Sequence, residues 1–150
     1  MDAKVYECVK EVFETNTPFS RNLGIKVLQD ESLNPYLRLE RQDHLIGNYI
    51  QDILHGGVIS SILDIIGAIV AVDGVISRMK YEQKAEIMKK FEKLGTIDMR
   101  VDYLRPGRGT YFIATGEAMR TGNKVSVVRT KLKNEENTLI AAGTGTYMVG

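Results

Sequence analysis

A long apolar segment in the first half of the chain constrains the fold more than any other feature. The stretch LHGGVISSILDIIGAIVAV, from Leu54 to Val72, contains a single acidic side chain, Asp64. A helix that is hydrophobic on nearly all sides is normally a core helix, and an unpaired carboxylate in a core costs several kcal/mol or takes up a proton. The fold must therefore surround this helix and also provide for Asp64.

The composition is that of an ordinary globular domain. The chain has 150 residues, and its 20 basic and 19 acidic side chains give a net charge of +1. This balance favours neither nucleic acid nor an anionic membrane as a partner, so we expect a single domain over residues 1–150 with no nucleic-acid or membrane partner. Cys8 is the only cysteine, which excludes an internal disulfide and predicts a cytoplasmic location.

Two further helices are predicted on either side of this segment. Apolar residues at helical spacing from Val5 to Phe13 indicate a first helix that Pro18 ends, with Cys8 on its buried stripe. A charged amphipathic stretch at 80–94, which includes Tyr81, predicts a second helix that could shape a ligand pocket.

Alternating or β-branched segments predict six strands. The last four follow one another through short turns, which predicts a four-strand antiparallel meander. Helices and strands are segregated along the chain, which favours an α+β fold with an antiparallel sheet wrapped around the long helix. The six predicted strands are Gly24–Gln29, Tyr36–Arg41, Thr96–Leu104, Tyr111–Met119, Val125–Lys133 and Leu139–Val149.

Asp64 shares its helix face with small residues, while the large aliphatic side chains point elsewhere. Small residues let another backbone or a slender ligand come close, so this face is not patterned like that of a simple core helix. The residues of this face are Gly57, Ser60, Ser61, Gly67, Ala68 and Ala71.

The His55-Gly56-Gly57 start of the helix has a chemistry of its own. The first turn of a helix has N–H groups without internal partners and carries partial positive charge, and glycines leave these donors uncovered. A donor of this kind and a carboxylate suit the hydrolysis of an activated acyl group. The N–H holds the developing oxyanion, and the acid activates water or attacks directly.

The spacing of these two groups predicts a shared site. Gly56 and Asp64 are eight residues apart, about 12 Å along one helix, whereas a reacting carbonyl needs both groups within roughly 3–4 Å. Two copies of the helix running antiparallel would bring Gly56 of one chain to Asp64 of the other. We therefore expect a homodimer with two symmetric sites.

Two motifs resemble a known family. HGGVISSILDIIG, with Asp64 nine positions after His55, and TIDMRVDYLRPGRG are similar to segments of hotdog-fold acyl-CoA thioesterases of the phenylacetate-pathway (PaaI) type. The resemblance implies a five- or six-stranded sheet around the central helix and a dimer whose sheets join edge to edge, commonly within a tetramer. It also implies an acyl-CoA substrate and no separate cofactor.

The resemblance assigns roles to particular residues. Asp64 is expected to be the general base or nucleophile, and the Gly56 N–H of the partner chain to polarise the carbonyl. His55 would shape the helix entry or contact the thioester, and Asn48, with Gln51 as the alternative, would orient substrate or water. The residues expected to contact the substrate, with coenzyme A phosphates assigned to the last four, are Gly57, Ser61, Arg105, Arg108, Asn123 and Lys124.

Two other functions stay open on the same fold. One is a hydroxyacyl-thioester dehydratase, although the Pro-rich flanks of those enzymes are absent here. The other is a non-catalytic acyl-CoA-binding domain in which Asp64 only makes a capping or inter-subunit hydrogen bond. Arginines in the turns favour coenzyme A over acyl carrier protein, and the Ile-rich helix predicts medium-to-long aliphatic acyl chains.

Overall fold

A six-stranded antiparallel sheet surrounds one long helix in the computed structural model, which describes residues 1–80 and 83–150. This helix, α3 (Gly56–Ile76), packs against five of the six strands. Its side chains Ile62, Leu63, Ile66 and Ile69 are fully buried, and each contributes roughly 1.5–3 kcal/mol by leaving water. The predicted α+β architecture, a sheet wrapped around a central helix, is confirmed.

The sheet uses strands from both halves of the chain. The strand bounds are β1 Lys26–Gln29, β2 Pro35–Glu40, β5 Gly95–Tyr103, β6 Tyr111–Thr121, β7 Val125–Asn134 and β8 Leu139–Met148. The spatial order of these strands is β1-β2-β6-β7-β8-β5, and all neighbouring strands are antiparallel. A separate hairpin is formed by β3 Ile46–Asn48 and β4 Ile53–Leu54 in the segment before α3.

Period-two burial explains why the strands face the helix as they do. In β7 the residues Ser126, Val128, Thr130 and Leu132 are buried, while their neighbours point to the outer face. Successive side chains of a strand point to opposite faces, so one apolar face of the sheet covers α3 and the other faces outward.

The predicted meander of four strands is wrong in its first strand. Only β6, β7 and β8 follow one another as neighbours, whereas β5 pairs with β8 at the edge of the sheet. The segment Leu104–Thr110 therefore crosses the sheet end instead of forming a hairpin. Because of this crossing, the RPGRG turn lies next to the start of α3, where Gly107 packs against Leu54.

The N-terminal helices differ from the prediction in detail. Asp2 caps α1 (Ala3–Val9) by accepting a hydrogen bond from the Val5 N–H, and the chain continues as a π-helix over Lys10–Asn16. Pro18 was predicted to end the helix but begins a further one, α2 (Pro18–Leu23), since proline fits the first turn of a helix.

The charged helix α4 spans Lys84–Phe91, which is shorter than the predicted 80–94. Tyr81, part of that prediction, lies outside the described residues. Ile87 is the buried anchor of α4, and Phe91 packs edge-to-face on Phe13 with ring centres 6.0 Å apart.

Helix α3 is long and apolar enough to cross a membrane by length and composition. However, 72% of its most apolar 18-residue window is buried inside the protein. This is the arrangement of a core helix.

Candidate active site

The start of α3 is held by the histidine that precedes it. His55 is the N-cap residue, and its Nδ1 accepts a hydrogen bond of 2.8 Å from the Gly57 N–H. Because Nδ1 accepts, the ring in this arrangement carries its proton on Nε2. The ring lies so close to Gly47 that a Cβ there would stand 2.9 Å from it. His55 thus holds the entry of the helix in this structure, and the predicted contact with the thioester stays a prediction.

The Gly56 N–H is the donor left over at this helix start. Among residues 1–80 and 83–150, no acceptor bonds to it, whereas the Gly57 N–H donates to the His55 ring and the next two N–H groups donate to the His55 carbonyl. The Gly56 carbonyl accepts a hydrogen bond of 3.0 Å from the Tyr103 hydroxyl. An unpaired N–H in the first turn, with the partial positive charge of the helix end, is suited to an anionic oxygen.

A cleft of about 340 Å³ opens beside this donor. It is bounded by the end of the hairpin, the first turns of α3 and the crossing segment after β5, so three separate parts of the chain meet at Gly56. Its lining is mainly apolar and comprises Ile53, Leu54, Gly56, Ile59, Tyr103, Leu104, Arg105, Pro106 and Gly107.

Asp64 lies two turns further along α3 and is half-buried toward the β5–β8 edge. Its Oδ1 accepts a hydrogen bond of 2.9 Å from the Thr96 hydroxyl, and its backbone carbonyl accepts one of 3.3 Å from Tyr147. Burial raises the pKa of the Tyr147 phenol and the Asp64 carboxylate adds to this, so Tyr147 stays protonated and donates. Thr96 thus fixes one oxygen of the carboxylate.

Part of the small-residue face of α3 is filled by the protein itself. A Cβ on Gly67 would overlap the Tyr147 hydroxyl and stand 2.6 Å from Cζ of that ring, and Gly145 closes on the ring from the strand side. Both glycines therefore make room for Tyr147 rather than for a ligand. The Ser60 and Ser61 hydroxyls bond back to the Gly57 carbonyl, at 3.1 and 2.6 Å.

The loop residues predicted to orient substrate hold the hairpin together. Asn48 Oδ1 accepts hydrogen bonds of 3.2 Å from the Ile50 and Gln51 N–H groups. Gln51, the alternative candidate, accepts a hydrogen bond from the Arg108 guanidinium on its side-chain oxygen at 3.3 Å. In the described structure, the Asn48 amide nitrogen has no partner, so this end of the side chain is the one free to contact a ligand.

The four residues predicted to contact phosphates fall into two groups. Arg105 and Arg108 lie in the segment that follows β5. Arg105 lines the cleft at Gly56 and donates to the Leu139 carbonyl at 3.0 Å, and Arg108 donates to Gln51. Asn123 and Lys124 lie in the β6–β7 turn, which stands by Gly74 near the other end of α3. Gly56 and Gly74 are 18 residues apart, about 27 Å along the helix, so one chain does not bring the two groups together.

Sequence and structure comparisons agree on the family. Residues 51–141 match the thioesterase superfamily. The chain is 45% identical over 142 residues to the medium/long-chain acyl-CoA thioesterase YigI of Escherichia coli K12, and 44% identical to that of Salmonella typhimurium. Each of these alignments covers 95% of this chain and 92% of the relative. The chain belongs to the thioesterase superfamily.

A solved structure of a superfamily relative has the same fold. A protein from Shewanella oneidensis related to the thioesterase superfamily superposes with a TM-score of 0.92 at 45% identity, covering 99% of this chain and 97% of that one. The predicted family, hotdog fold and enzyme class, that of a thioester hydrolase, are therefore confirmed. The roles predicted for single residues stay predictions.

Two residues beside the thioesterase motif were not predicted. Thr96 bonds the Asp64 carboxylate, and Tyr103 bonds the Gly56 carbonyl. Both belong to β5, at its beginning and at its end, and both approach α3 from the sheet edge. Alternation along TIDMRVDYL gave a signal for Tyr103 alone, because it places this residue on the apolar face that meets the central helix and Thr96 on the opposite face.

Proposed function

We propose that this chain hydrolyses acyl-CoA thioesters at two identical sites, each shared between two copies. Asp64 would come from one protomer and the Gly56 N–H from its partner. The observation that carries the proposal is the position of these two groups along β5, the exposed edge strand of the sheet.

The two groups contact opposite ends of β5. Asp64 bonds Thr96 at the beginning of the strand, and Gly56 bonds Tyr103 at its end. Thr96 and Tyr103 are seven residues apart, about 23 Å along a strand, so one protomer does not bring Asp64 and Gly56 to the same thioester carbonyl.

Edge-to-edge pairing of two copies would resolve this separation. β5 bonds to β8 on one side only, which leaves its outer backbone groups available for a further antiparallel strand. If a two-fold axis passes between Met99 and Arg100, Thr96 of one copy faces Tyr103 of the other, and Asp64 meets the partner's helix start. Ile97 on this strand is an apolar side chain that is 57% exposed in the single chain, as expected if a second copy covers this edge of the sheet.

The chemistry then follows from the groups at hand. The Gly56 N–H would hold the thioester oxygen as negative charge develops on it, aided by the helix end. Asp64, held on one oxygen by Thr96, would take a proton from a water molecule that adds to the carbonyl carbon. The C–S bond breaks, the proton passes to the leaving sulfur, and the products are a carboxylic acid and coenzyme A. If the carboxylate attacks directly, the same products form through an anhydride that water opens.

The substrate is proposed from the relatives and the cleft. The YigI relatives are named medium/long-chain acyl-CoA thioesterases, and the cleft beside Gly56 is lined largely by apolar side chains. We assign medium-to-long aliphatic acyl-CoAs as substrates, with Arg105 at the rim of the cleft as a contact for coenzyme A phosphate. No step of this reaction calls for a cofactor.

Asp64→Asn tests the catalytic assignment, with Asp73→Asn as a matched control in the same helix. Burial raises the pKa of Asp73, a half-buried acid with no hydrogen-bond partner among the described residues. We expect Asp64→Asn to lower thiol release from a panel of acyl-CoAs at least about a hundredfold, and Asp73→Asn to stay within threefold of wild type. Near-normal turnover by folded Asp64→Asn would disprove the assignment.

Single-turnover hydrolysis in H₂¹⁸O separates the two possible roles of Asp64. With Asp64 as general base, ¹⁸O enters the fatty acid in the first turnover. With Asp64 as nucleophile, water that opens the anhydride at the carboxyl carbon of Asp64 would label the enzyme, and mass spectrometry of the peptide would show it.

A further inference from the structure

Two consecutive glycines begin the first turn of α3, and this raises the question of how the backbone of that turn is kept rigid. Glycine has more backbone freedom than any other residue, and the first turn of a helix frays readily. A hydrogen-bond donor that stabilises a developing charge is effective only when its direction is fixed beforehand. The peptide that carries the Gly56 N–H is held by the turn itself, because its His55 carbonyl accepts hydrogen bonds from the Val58 and Ile59 N–H groups. The next peptide, between Gly56 and Gly57, needs support of its own if the backbone of Gly56 is to keep one conformation.

Two hydrogen bonds supply this support. His55 Nδ1 accepts from the Gly57 N–H at 2.8 Å, on the peptide that follows Gly56. The Tyr103 hydroxyl donates to the Gly56 carbonyl at 3.0 Å. The first bond is local to the turn, while the second ties Gly56 to the sheet, 47 residues away in the chain.

The Tyr103 ring also limits the space around Gly56. A Cβ on Gly56 would stand 3.4 Å from Tyr103 Cε1 and 3.7 Å from Cζ, so the ring lies in contact distance of the glycine. Tyr103 is nevertheless 55% exposed, so its ring is not held there as part of the buried core. Its hydroxyl is directed to the one carbonyl that belongs to the donor residue.

We propose that Tyr103 is a positioning residue for the Gly56 donor. Its hydroxyl holds the peptide that follows Gly56, while the turn holds the peptide that carries the N–H, and together these contacts limit rotation about the Gly56 backbone bonds. The inference rests on the proposed function, in which this N–H polarises the thioester. Since Tyr103 ends the edge strand β5, pairing of that strand with a second copy would also stabilise the donor.

Tyr103→Phe tests this role, because it removes the hydroxyl and keeps the ring. Tyr36→Phe is the matched control: Tyr36 lies on β2, and its hydroxyl has no hydrogen-bond partner in the described structure. One hydrogen bond contributes about 0.5–1.5 kcal/mol, so we expect kcat for acyl-CoA hydrolysis to fall by about two- to thirteenfold in Tyr103→Phe. We expect KM to stay within twofold, and Tyr36→Phe to match wild type in both constants.

Backbone dynamics provide a readout that does not depend on turnover. In protein labelled with ¹⁵N-glycine, the order parameters of Gly56 and Gly57 should fall in Tyr103→Phe and stay unchanged in Tyr36→Phe. Unchanged kcat and unchanged order parameters would overturn the proposal, as would a rise in KM at constant kcat, which would make Tyr103 a substrate contact. If wild type fails to hydrolyse acyl-CoA, the proposed function is wrong, and the order parameters alone still decide the role of Tyr103.

Discussion

Gly56→Pro is the most direct test of the proposed oxyanion donor. Proline has no N–H, and position 56 is the first residue of α3, where proline is well tolerated. The residue before a proline must be extended, and His55 already has φ −61° and ψ 138°. Gly56 is also not among the glycines with positive φ, which are Gly24 and Gly109. The substitution thus removes the donor with little strain on the backbone.

The expected effect is large compared with the cost to the fold. Loss of one oxyanion donor lowers turnover by about 10²–10³-fold, equivalent to roughly 2.7–4 kcal/mol of transition-state stabilisation. Since the proline ring stands where the N–H pointed, we expect this loss in kcat/KM. The free energy of unfolding should change by less than about 1 kcal/mol, because proline at a compatible position restricts the unfolded chain.

Gly56→Ala is the control for this experiment. It adds a Cβ that would stand 3.4 Å from Tyr103, an ordinary contact, and it keeps the N–H. The ratio of kcat/KM for Gly56→Ala and Gly56→Pro then measures the donor, with thermal melting and light scattering to show that both variants fold and assemble alike. A ratio below about three in two folded variants would refute the assignment of the donor.

Mixing the two disabled variants tests whether the site is shared. A heterodimer of Gly56→Pro and Asp64→Asn has one site with both defects and one intact site. Random exchange gives half heterodimers, so an equal mixture should recover about a quarter of wild-type activity, as follows from two symmetric sites per dimer. No recovery after demonstrated subunit exchange would place both groups of each site in one chain.

Three further substitutions test other contacts. Thr96→Val removes the 2.9 Å bond to the proposed catalytic carboxylate and should lower kcat roughly tenfold, whereas Thr96→Ser should lose less than threefold; equal rates would exclude this role. Gly67→Ala forces a methyl group onto the Tyr147 ring and should lower the free energy of unfolding in urea by about 1–3 kcal/mol. Gly95→Ala, whose Cβ would meet only a methionine methyl at 3.7 Å, should cost less than about 1 kcal/mol, and similar losses in both would contradict the packing argument. Burial alone would raise the pKa of Glu14, but a backbone N–H and a lysine outweigh it and lower the pKa below its ordinary value of 4.5. Glu14→Gln should therefore be about 1 kcal/mol less stable than wild type at pH 7, and the difference should shrink below about pH 4.5; a constant difference down to pH 3 would refute this.

The central helix and its two chemical groups were predictable because helix geometry is local. An apolar run of this length has to be enclosed, and the positions of Gly56 and Asp64 along one helix follow from the rise of 1.5 Å per residue. The order of the strands around the helix depends instead on pairing between distant segments, which the local sequence pattern does not determine. Leu104–Thr110 has a length that suits a hairpin, but it also spans the roughly 14 Å across three strand spacings from β5 to β6.

The contact between Thr96 and Asp64 was hidden by a β-bulge. By simple alternation Thr96 belongs to the face of Asp98, which is the outer one. In the structure Thr96 pairs with Tyr147 and Asp98 with Thr146, and Ile97 is left without a partner on β8. One inserted residue moves the side chains that precede it in the strand to the opposite face of the sheet, so Thr96 points inward to the helix.

The close contact of Gly67 and Gly145 with the Tyr147 ring limits how this sequence can vary. An alanine at Gly67 or Gly145 overlaps the ring, and a small side chain in place of Tyr147 leaves a cavity costing about 3–5 kcal/mol. Domains of this size are typically stable by only 5–15 kcal/mol, so each single step removes a large part of the margin. Substitutions at these three positions are therefore expected to be epistatic, and lineages in which the tyrosine is replaced should carry larger residues at both glycines.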